Sequence, residues 1–317
     1  MHSPWLSVIM PTYNGADYVS AALESIAIQQ DKDIEVIVLD DGSTDRTVSI
    51  IKTYAHRFSL RIVEGKHTGN WVTNTNIGLS LAQGEYISCL HQDDFWLAGR
   101  LKTLRPLLAA TPSVSMALHP SWYVDGQGRR LGLWRCPLSH AQQPLNSAMV
   151  IEHLLVQNFI SMPAPIFKRE RAIAVGGMDE SLWYTADWDL WLKLSSIGEV
   201  LYVSNPLSCF RVHPCSQTAK STGKTDFRGQ LETVLQRHLS PWEARHPDRQ
   251  IIGKVARFSV ELNVAMASHY QGSDSLPLGK LFIHWLLLGP RGWYMFVRDS
   301  RIVERIMARL PMYNSMR

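Results

Sequence analysis

The chain has 317 residues, 45% hydrophobic and 19% charged, with a formal net charge of +4. That is an ordinary folded protein of one large domain, or one domain with an appendage, and not a disordered chain. No stretch reaches the roughly 18 uninterrupted apolar residues of a membrane span, and the start lacks the basic-then-apolar order of a signal peptide.

In chain order, residues 6–10 read as a strand, 16–27 as a helix, 34–39 as a strand and 45–57 as a helix. A strand at 60–64, a helix at 74–82 and a strand at 86–90 follow. Alternating strands and helices specify a parallel, doubly wound sheet. Strands that are apolar almost without interruption imply cover on both faces. Gly126, Gly128 and Gly132 then mark turns, so 123–134 reads as a hairpin or a loop. A helix at 148–156, a strand at 164–168, a turn at Gly176-Gly177, a helix at 187–196 and strands at 200–203 and 207–212 complete this part. From about residue 225 the pattern is helical. The best junction is 217–224, which divides a unit 1–222 from a helical unit 223–317. Cys89, Cys136, Cys209 and Cys215 show no paired spacing and fit buried or free thiols in a reducing cytoplasm.

The strand at 86–90 leads directly into His91-Gln92-Asp93-Asp94. Two adjacent carboxylates at the end of an apolar strand are costly unless a cation lies beside them. The economical reading is a strand tip that holds a divalent metal. Strand ends are also where α/β sheets bind ligands. After the first strand, Pro11-Thr12-Tyr13-Asn14 offers a ring that can stack on a nucleobase; a plain turn into the next helix is the alternative. After the second, Asp40-Asp41-Gly42-Ser43-Thr44 holds two acids. Ser43 or Thr44 caps the next helix in this reading. A carboxylate here can accept an imide N–H or a ribose hydroxyl. Asn70, in the third junction, is either a ligand group or a helix cap. All of these fall on one edge of a parallel sheet.

These segments resemble the nucleotide-binding half of family 2 glycosyltransferases, which are inverting GT-A enzymes. Gly176-Gly177-Met178-Asp179-Glu180 and Thr185-Ala186-Asp187-Trp188-Asp189 resemble the family's acceptor-side segment, and Phe210-Arg211-Val212-His213 its final sheet segment. The resemblance spans about residues 4–220 and implies a GT-A fold, with a nucleotide-binding half at about 1–95 and an acceptor half at 96–222. It also implies the roles. Pro11, Tyr13, Asp40, Asp41, Asn70 and Asp93 would bind the nucleotide. Asp94, Asp93 and His213 would hold Mn²⁺ or Mg²⁺, with Asp94 favoured. His91 stands where many relatives carry an acid. A neutral imidazole suits Mn²⁺ better than Mg²⁺, and a histidine satisfied at the strand end is the alternative. Asp187 would be the general base. Asp189, about 200° further round a helix, would brace the helix start instead.

The expected activity is sugar transfer from a nucleotide diphosphate, with UDP favoured over dTDP or GDP. The acceptor would be a hydroxyl of a glycan or a polyprenyl-linked molecule in cell-surface polysaccharide assembly. A non-catalytic partner subunit is the alternative. No G-x-G-x-x-G follows the first strand, which counts heavily against a dinucleotide oxidoreductase. Residues 291–317 hold six arginines against Asp299 and Glu304, a balance that equals the whole-chain excess. The rest is therefore near neutral, which argues against nucleic acid. In 276–317 apolar residues and arginines alternate at helical spacing, so this segment reads as peripheral contact with anionic lipid at the inner membrane face. The alternative is packing on the catalytic domain or in a homodimer.

Overall fold

A computed structural model describes residues 3–139, 143–213, 226–270 and 277–314. The expected junction at 217–224, the boundary at 222/223 and Cys215 lie outside the described residues. The first half runs β1 (Leu6–Thr12), α1 (Val19–Ala27), β2 (Ile34–Asp40), α2 (Thr47–Lys52), β3 (Ser59–Glu64), α3 (Trp71–Leu81), β4 (Tyr86–Cys89) and the short β5 (Phe95–Trp96). α4 (Arg100–Ala110), β6 (Val114–Leu118), β7 (Ser121–Val124), β8 (Arg130–Trp134), α5 (Ser147–Val156) and β9 (Ile166–Lys168) follow. Then come α6 (Arg169–Ala174), α7 (Ala186–Ser196), β10 (Glu199–Tyr202) and β11 (Ser208–Arg211). Among the described residues four α-helices follow: α8 (Phe227–Arg245), α9 (Ile251–Tyr270), α10 (Leu278–Ser300) and α11 (Ile302–Asn314).

The main sheet has the order β3-β2-β1-β4-β9-β6-β10. β1 to β4 are parallel, and β9 runs antiparallel to both β4 and β6. The sheet is therefore mixed and mostly parallel with helices on both faces, as the resemblance to a GT-A fold implies. β1 is buried along its whole length, as its apolar sequence requires. β3 is not: it is an edge strand with alternating exposure, so cover on both faces fails there. A second sheet, β5-β11-β7-β8, contains the 123–134 hairpin as the antiparallel pair β7–β8.

α4 has no counterpart in the sequence reading, because Arg100, Lys102, Arg105 and Pro106 interrupt its apolar positions. Its Arg100 is fully buried over the Trp96 ring. The guanidinium donates to Ser88 Oγ (3.1 Å) and to the Ala164 carbonyl (3.0 Å), fixing the chain entering β9 against β4. Burial lowers its pKa to about 9. The C-terminal helices pack on α5, and α11 lies against β8. Fully buried Asp299 of α10 takes His153 Nδ1 of α5 at 2.9 Å, which bolts the two helices together.

Candidate active site

The ends of β1, β2 and β3 are in register: Thr12 pairs with Asp40, and Asp40 with Glu64. Their loops therefore leave the sheet at one level. The loop after β1 is knitted to the loop after β2. Asn14 Oδ1 accepts Thr44 N (2.8 Å), Ser43 Oγ accepts Asn14 N (2.9 Å), and Asp45 Oδ2 accepts Ala16 N (3.1 Å). Neither Ser43 nor Thr44 caps α2; Asp45 Oδ1 takes the Thr47 N–H instead (2.9 Å). Gln92, after β4, closes the third side. Its amide accepts from Tyr13 N and donates to Tyr13 O, both at 2.9 Å. A Cβ on Gly15 would come within 2.1 Å of the Gln92 amide oxygen, so only glycine leaves room for this clamp.

These loops open on a cavity of about 560 Å³ that runs from the strand tips to the C-terminal helices. Pro11, Tyr13, Asp41 and His67 line one part of it. The Tyr13 and His67 rings stack with centroids 4.0 Å apart. Asp41 Oδ1 accepts Thr68 N and Thr68 Oγ1, and Oδ2 accepts Gly69 N and meets His67 Nδ1 at 2.8 Å. Burial works against its charge, but these donors outweigh burial and hold the Asp41 pKa below the usual range. Asp41 thus shapes the 67–69 loop.

Two residues expected at the nucleotide turn away from the cavity. Asp40 accepts Thr12 Oγ1, Ser43 N and Ser43 Oγ, and so holds its own loop. Asn70 is the N-cap of α3, accepting Val72 N and Thr73 N and donating to the Glu180 carbonyl. Neither lines the cavity; Asn74, one turn into α3, does. Capping is the stronger local demand, because the first N–H groups of a helix have no other partner.

Asp93, Asp94, His91, Arg211 and His213 line the next part. Asp93 Oδ2 meets His213 Nε2 at 3.1 Å, and His213 also lies against the Tyr18 ring. Asp94 is buried, and its Oδ1 accepts the Arg211 N–H at 2.9 Å. The Arg211 guanidinium donates to the carbonyls of Asp93, Asp125 and Gly126. Burial opposes ionisation of both acids. His213 holds the Asp93 pKa down, whereas the neighbouring charge of Asp93 pushes Asp94 well up. His91 packs edge-on against Trp71, its Nε2 is buried without a hydrogen bond, and burial keeps the ring neutral.

Among the described residues no three His, Cys, Asp or Glu side chains form a ready cage for an ion. Asp93 and His213 do offer two converging donors. Two protein donors suffice for a Mg²⁺-type ion that takes its remaining ligands from substrate phosphates and water. With one carboxylate and one imidazole the pair fits Mn²⁺ better than Mg²⁺, whereas Asp94 Oδ1 is already engaged by the backbone of β11.

Asp187, in the first turn of α7, lines the same cavity. Its Oδ1 accepts Trp188 N (2.8 Å) and its Oδ2 accepts Asn158 Nδ2 (3.0 Å). Burial raises its pKa to about 6, and the two hydrogen bonds only partly offset that. Asp189 points the other way, fully buried against Lys193 (2.7 Å), Arg237 (2.9 Å) and His238 (2.8 Å). It joins α7 to α8. Despite burial, the His238 and Lys193 contacts push its pKa far below the usual value.

Sequence reasoning missed the residues beyond Asp187. Gln157 Oε1 accepts Asn263 Nδ2 of α9 (2.9 Å) and Arg305 Nη1 of α11 (2.7 Å), and Asn263 Oδ1 accepts Arg305 Nη2 (2.7 Å). All three line the cavity. The polar pair Gln157-Asn158, placed straight after apolar 154–156, was the available signal for Asn158. Nothing local marks Asn263 or Arg305.

Residues 7–153 match the family model described as Glycosyl transferase family 2. An uncharacterised glycosyltransferase of Rickettsia typhi is 29% identical over 220 residues, covering 68% of this chain and 67% of that protein. Chondroitin synthase of Escherichia coli is 27% identical over 63% of this chain but only 28% of its own length. Among solved structures, S. aureus TarS 1–349 in complex with UDP-GlcNAc superposes with a TM-score of 0.62 at 19% identity, covering 95% of this chain and 90% of that one. The mannosyltransferase PcManGT of Pyrobaculum calidifontis, in complex with GDP-Man and Mn²⁺, gives 0.54 at 19% identity, covering 100% and 89%.

Proposed function

The chain being a family 2 glycosyltransferase of GT-A fold, we propose that it moves a sugar, with inversion, from a UDP-linked donor to a hydroxyl of a polyprenyl-linked or glycan acceptor. The observation that carries this reading is Asp187. A carboxylate poised near pH 6 by burial shares one cavity with the base-stacking ring of Tyr13 and the Asp93–His213 pair. A general base works best when its pKa lies close to the working pH.

Tyr13 and His67 supply stacking surface for the base. The carboxylate of Asp41 is saturated with donors, so it reaches the base only if His67 swings aside. Asp93 and His213, rather than Asp94, are our assignment for a divalent cation. When bound, such a cation offsets the charge that grows on the leaving diphosphate. Arg211 holds the loops around Asp93 through its carbonyl contacts. Asp187 accepts the acceptor's hydroxyl proton as attack proceeds from the face opposite the diphosphate. Asn158 and the Trp188 N–H hold that carboxylate in place. No covalent nucleophile is required.

The likeness to chondroitin synthase supports a role in polysaccharide assembly. No helix among the described residues is long and apolar enough to cross a membrane. We therefore place the enzyme at the cytoplasmic face of a membrane, in peripheral contact through 276–317. The test is hydrolysis of UDP-GlcNAc and a panel of other nucleotide sugars, with and without Mn²⁺. Slow metal-dependent release of UDP from at least one donor is expected, and its loss in Asp187→Asn. No release from any donor in the wild type would sink the catalytic reading.

A further inference from the structure

The helix α10 is seated by its inner side and apolar on its outer side. Leu281, Leu288, Met295 and Phe296 are buried, and Asp299 is clamped to α5. Its water-facing positions should therefore be polar. They are not: Leu278 is 68% exposed, Phe282 60% and Leu287 73%, with Ile283 and Leu286 beside them. That spacing draws one stripe along a helix. The stripe continues past Gly289 through Tyr294 and Val297, and onto α11 through Val303 and Met307. Among the described residues from 277 to 308, the exposed charged residues are Lys280 and Arg291, while Glu304 is half-buried against Arg301. The outer positions of α8, by contrast, include Arg228, Glu232, Gln236 and Arg237.

We propose that this face of α10 and α11 is a docking surface for an anionic bilayer, lying in the interface with its apolar stripe among the acyl chains. A protein partner normally meets a polar rim bearing both signs. Here the acids beside the stripe are already matched, Glu304 by Arg301 (3.6 Å) and Glu261 by Lys280 (3.6 Å), and the exposed Arg291 adds positive charge, which suits anionic headgroups. Gly289 breaks the helix at φ 65° and ψ 178°, a region open essentially to glycine. The two limbs can thus follow a surface that one straight rod would not. On α11, Val303 and Met307 share a face, and Arg305 lies about 200° round the helix from either. That opposite side faces the cavity. A bilayer against Val303 and Met307 would lie one helix thickness, about 10 Å, from the acceptor end of the site.

This deepens the membrane-contact part of the reading above. Vesicle binding needs no substrate, so a failure of docking and a failure of sugar transfer are read separately. The experiment is co-sedimentation of the full chain with phosphatidylcholine vesicles and with vesicles that also contain phosphatidylglycerol. The wild type should pellet with the mixed vesicles and stay in solution with phosphatidylcholine alone. The double variant Leu286→Asp, Leu287→Asp should stay in solution with both while keeping the wild-type circular dichroism and melting temperature, since both side chains are exposed. Arg291→Glu should weaken binding roughly tenfold at low salt. Equal pelleting of the double variant, or no pelleting of the wild type, overturns the proposal. So does light scattering that shows a wild-type dimer split by the double variant, because the face then belongs to a second copy.

Discussion

At the strand tips the carboxylates are held mainly by neutral donors. Asp41 is satisfied by Thr68, Gly69 and His67, and Asp94 by a backbone N–H; across the cavity wall Asp187 has Asn158 and Trp188 N. At the joint between α7 and α8 the arrangement reverses, and Asp189 is ringed by Lys193, Arg237 and His238. Neutral donors orient a carboxylate without spending its charge, so it remains able to take a proton or face a cation. A carboxylate ringed by cations has its charge cancelled in place and serves only to bind helices together. Asp187 and Asp189 are two residues apart, and this difference in partners is what separates the acid we propose as the base from one that joins two helices.

The comparison breaks first at Asp187. Asp187→Asn should lower transfer at least about 100-fold and leave donor affinity unchanged by calorimetry. Transfer within a few-fold of wild type would remove the base assignment. The sign for pH follows from a folded-state pKa raised from 3.8 to about 6. The rate should fall as pH drops through 6. Folding favours the protonated form, so wild-type stability should decline as pH rises from 4 to 6. The Asn variant should therefore melt a few degrees higher than wild type at pH 8, with the gap closing near pH 4.

Asp189→Ala should do the opposite. Removing the acid from Lys193, Arg237 and His238 should cost about 3 kcal/mol of stability, read by urea unfolding, while UDP affinity of the folded fraction persists. Unchanged stability would mean that the ion cluster is decorative. Next in size, His213→Ala should weaken Mn²⁺-dependent UDP binding about tenfold, or about 1.4 kcal/mol, and leave metal-free binding nearly unaltered. Equal losses with and without Mn²⁺ would move the cation role back toward Asp94. Smallest, Tyr13→Ala should cost about 1 kcal/mol of donor affinity through lost stacking, visible as a several-fold rise in the UDP dissociation constant.

The strand-tip half was legible because its signals are contiguous. β1, β2 and β4 are mainly apolar runs, broken only by Ser7, Glu35 and Ser88 before their ends, and each leads into the polar group that makes the edge. The opposite facing of Asp187 and Asp189 follows from helical geometry, while the choice of Asp187 as base rests on the family resemblance. Asp40 and Asn70 do not line the cavity, because loop closure and helix capping use the same side chains that ligand binding does. α4 escaped because a buried arginine and a proline hide its apolar positions. The antiparallel insertion of β9 and the Gln157–Asn263–Arg305 cluster rest on contacts between segments about 50 to 150 residues apart in sequence, and no local pattern encodes those.

Gln92 has a consequence of its own. The backbone pairing of β1 with β4 stops at Ile9 and Cys89, with one last bond from Leu90 N to Ile9 O. Beyond it, the Gln92 side chain takes over, offering Tyr13 an acceptor and a donor as a neighbouring strand would. The sheet is in effect one rung longer than its backbone, and the extra rung is an amide on a two-carbon arm. That arm sets the gauge between Tyr13 and Asp93, which line two parts of the cavity. Asparagine, one carbon shorter, would draw the two together or leave the rung unmade, and glutamate would offer no donor to the Tyr13 carbonyl. The residue between His91 and Asp93 is thus a spacer with a fixed length rather than a free position.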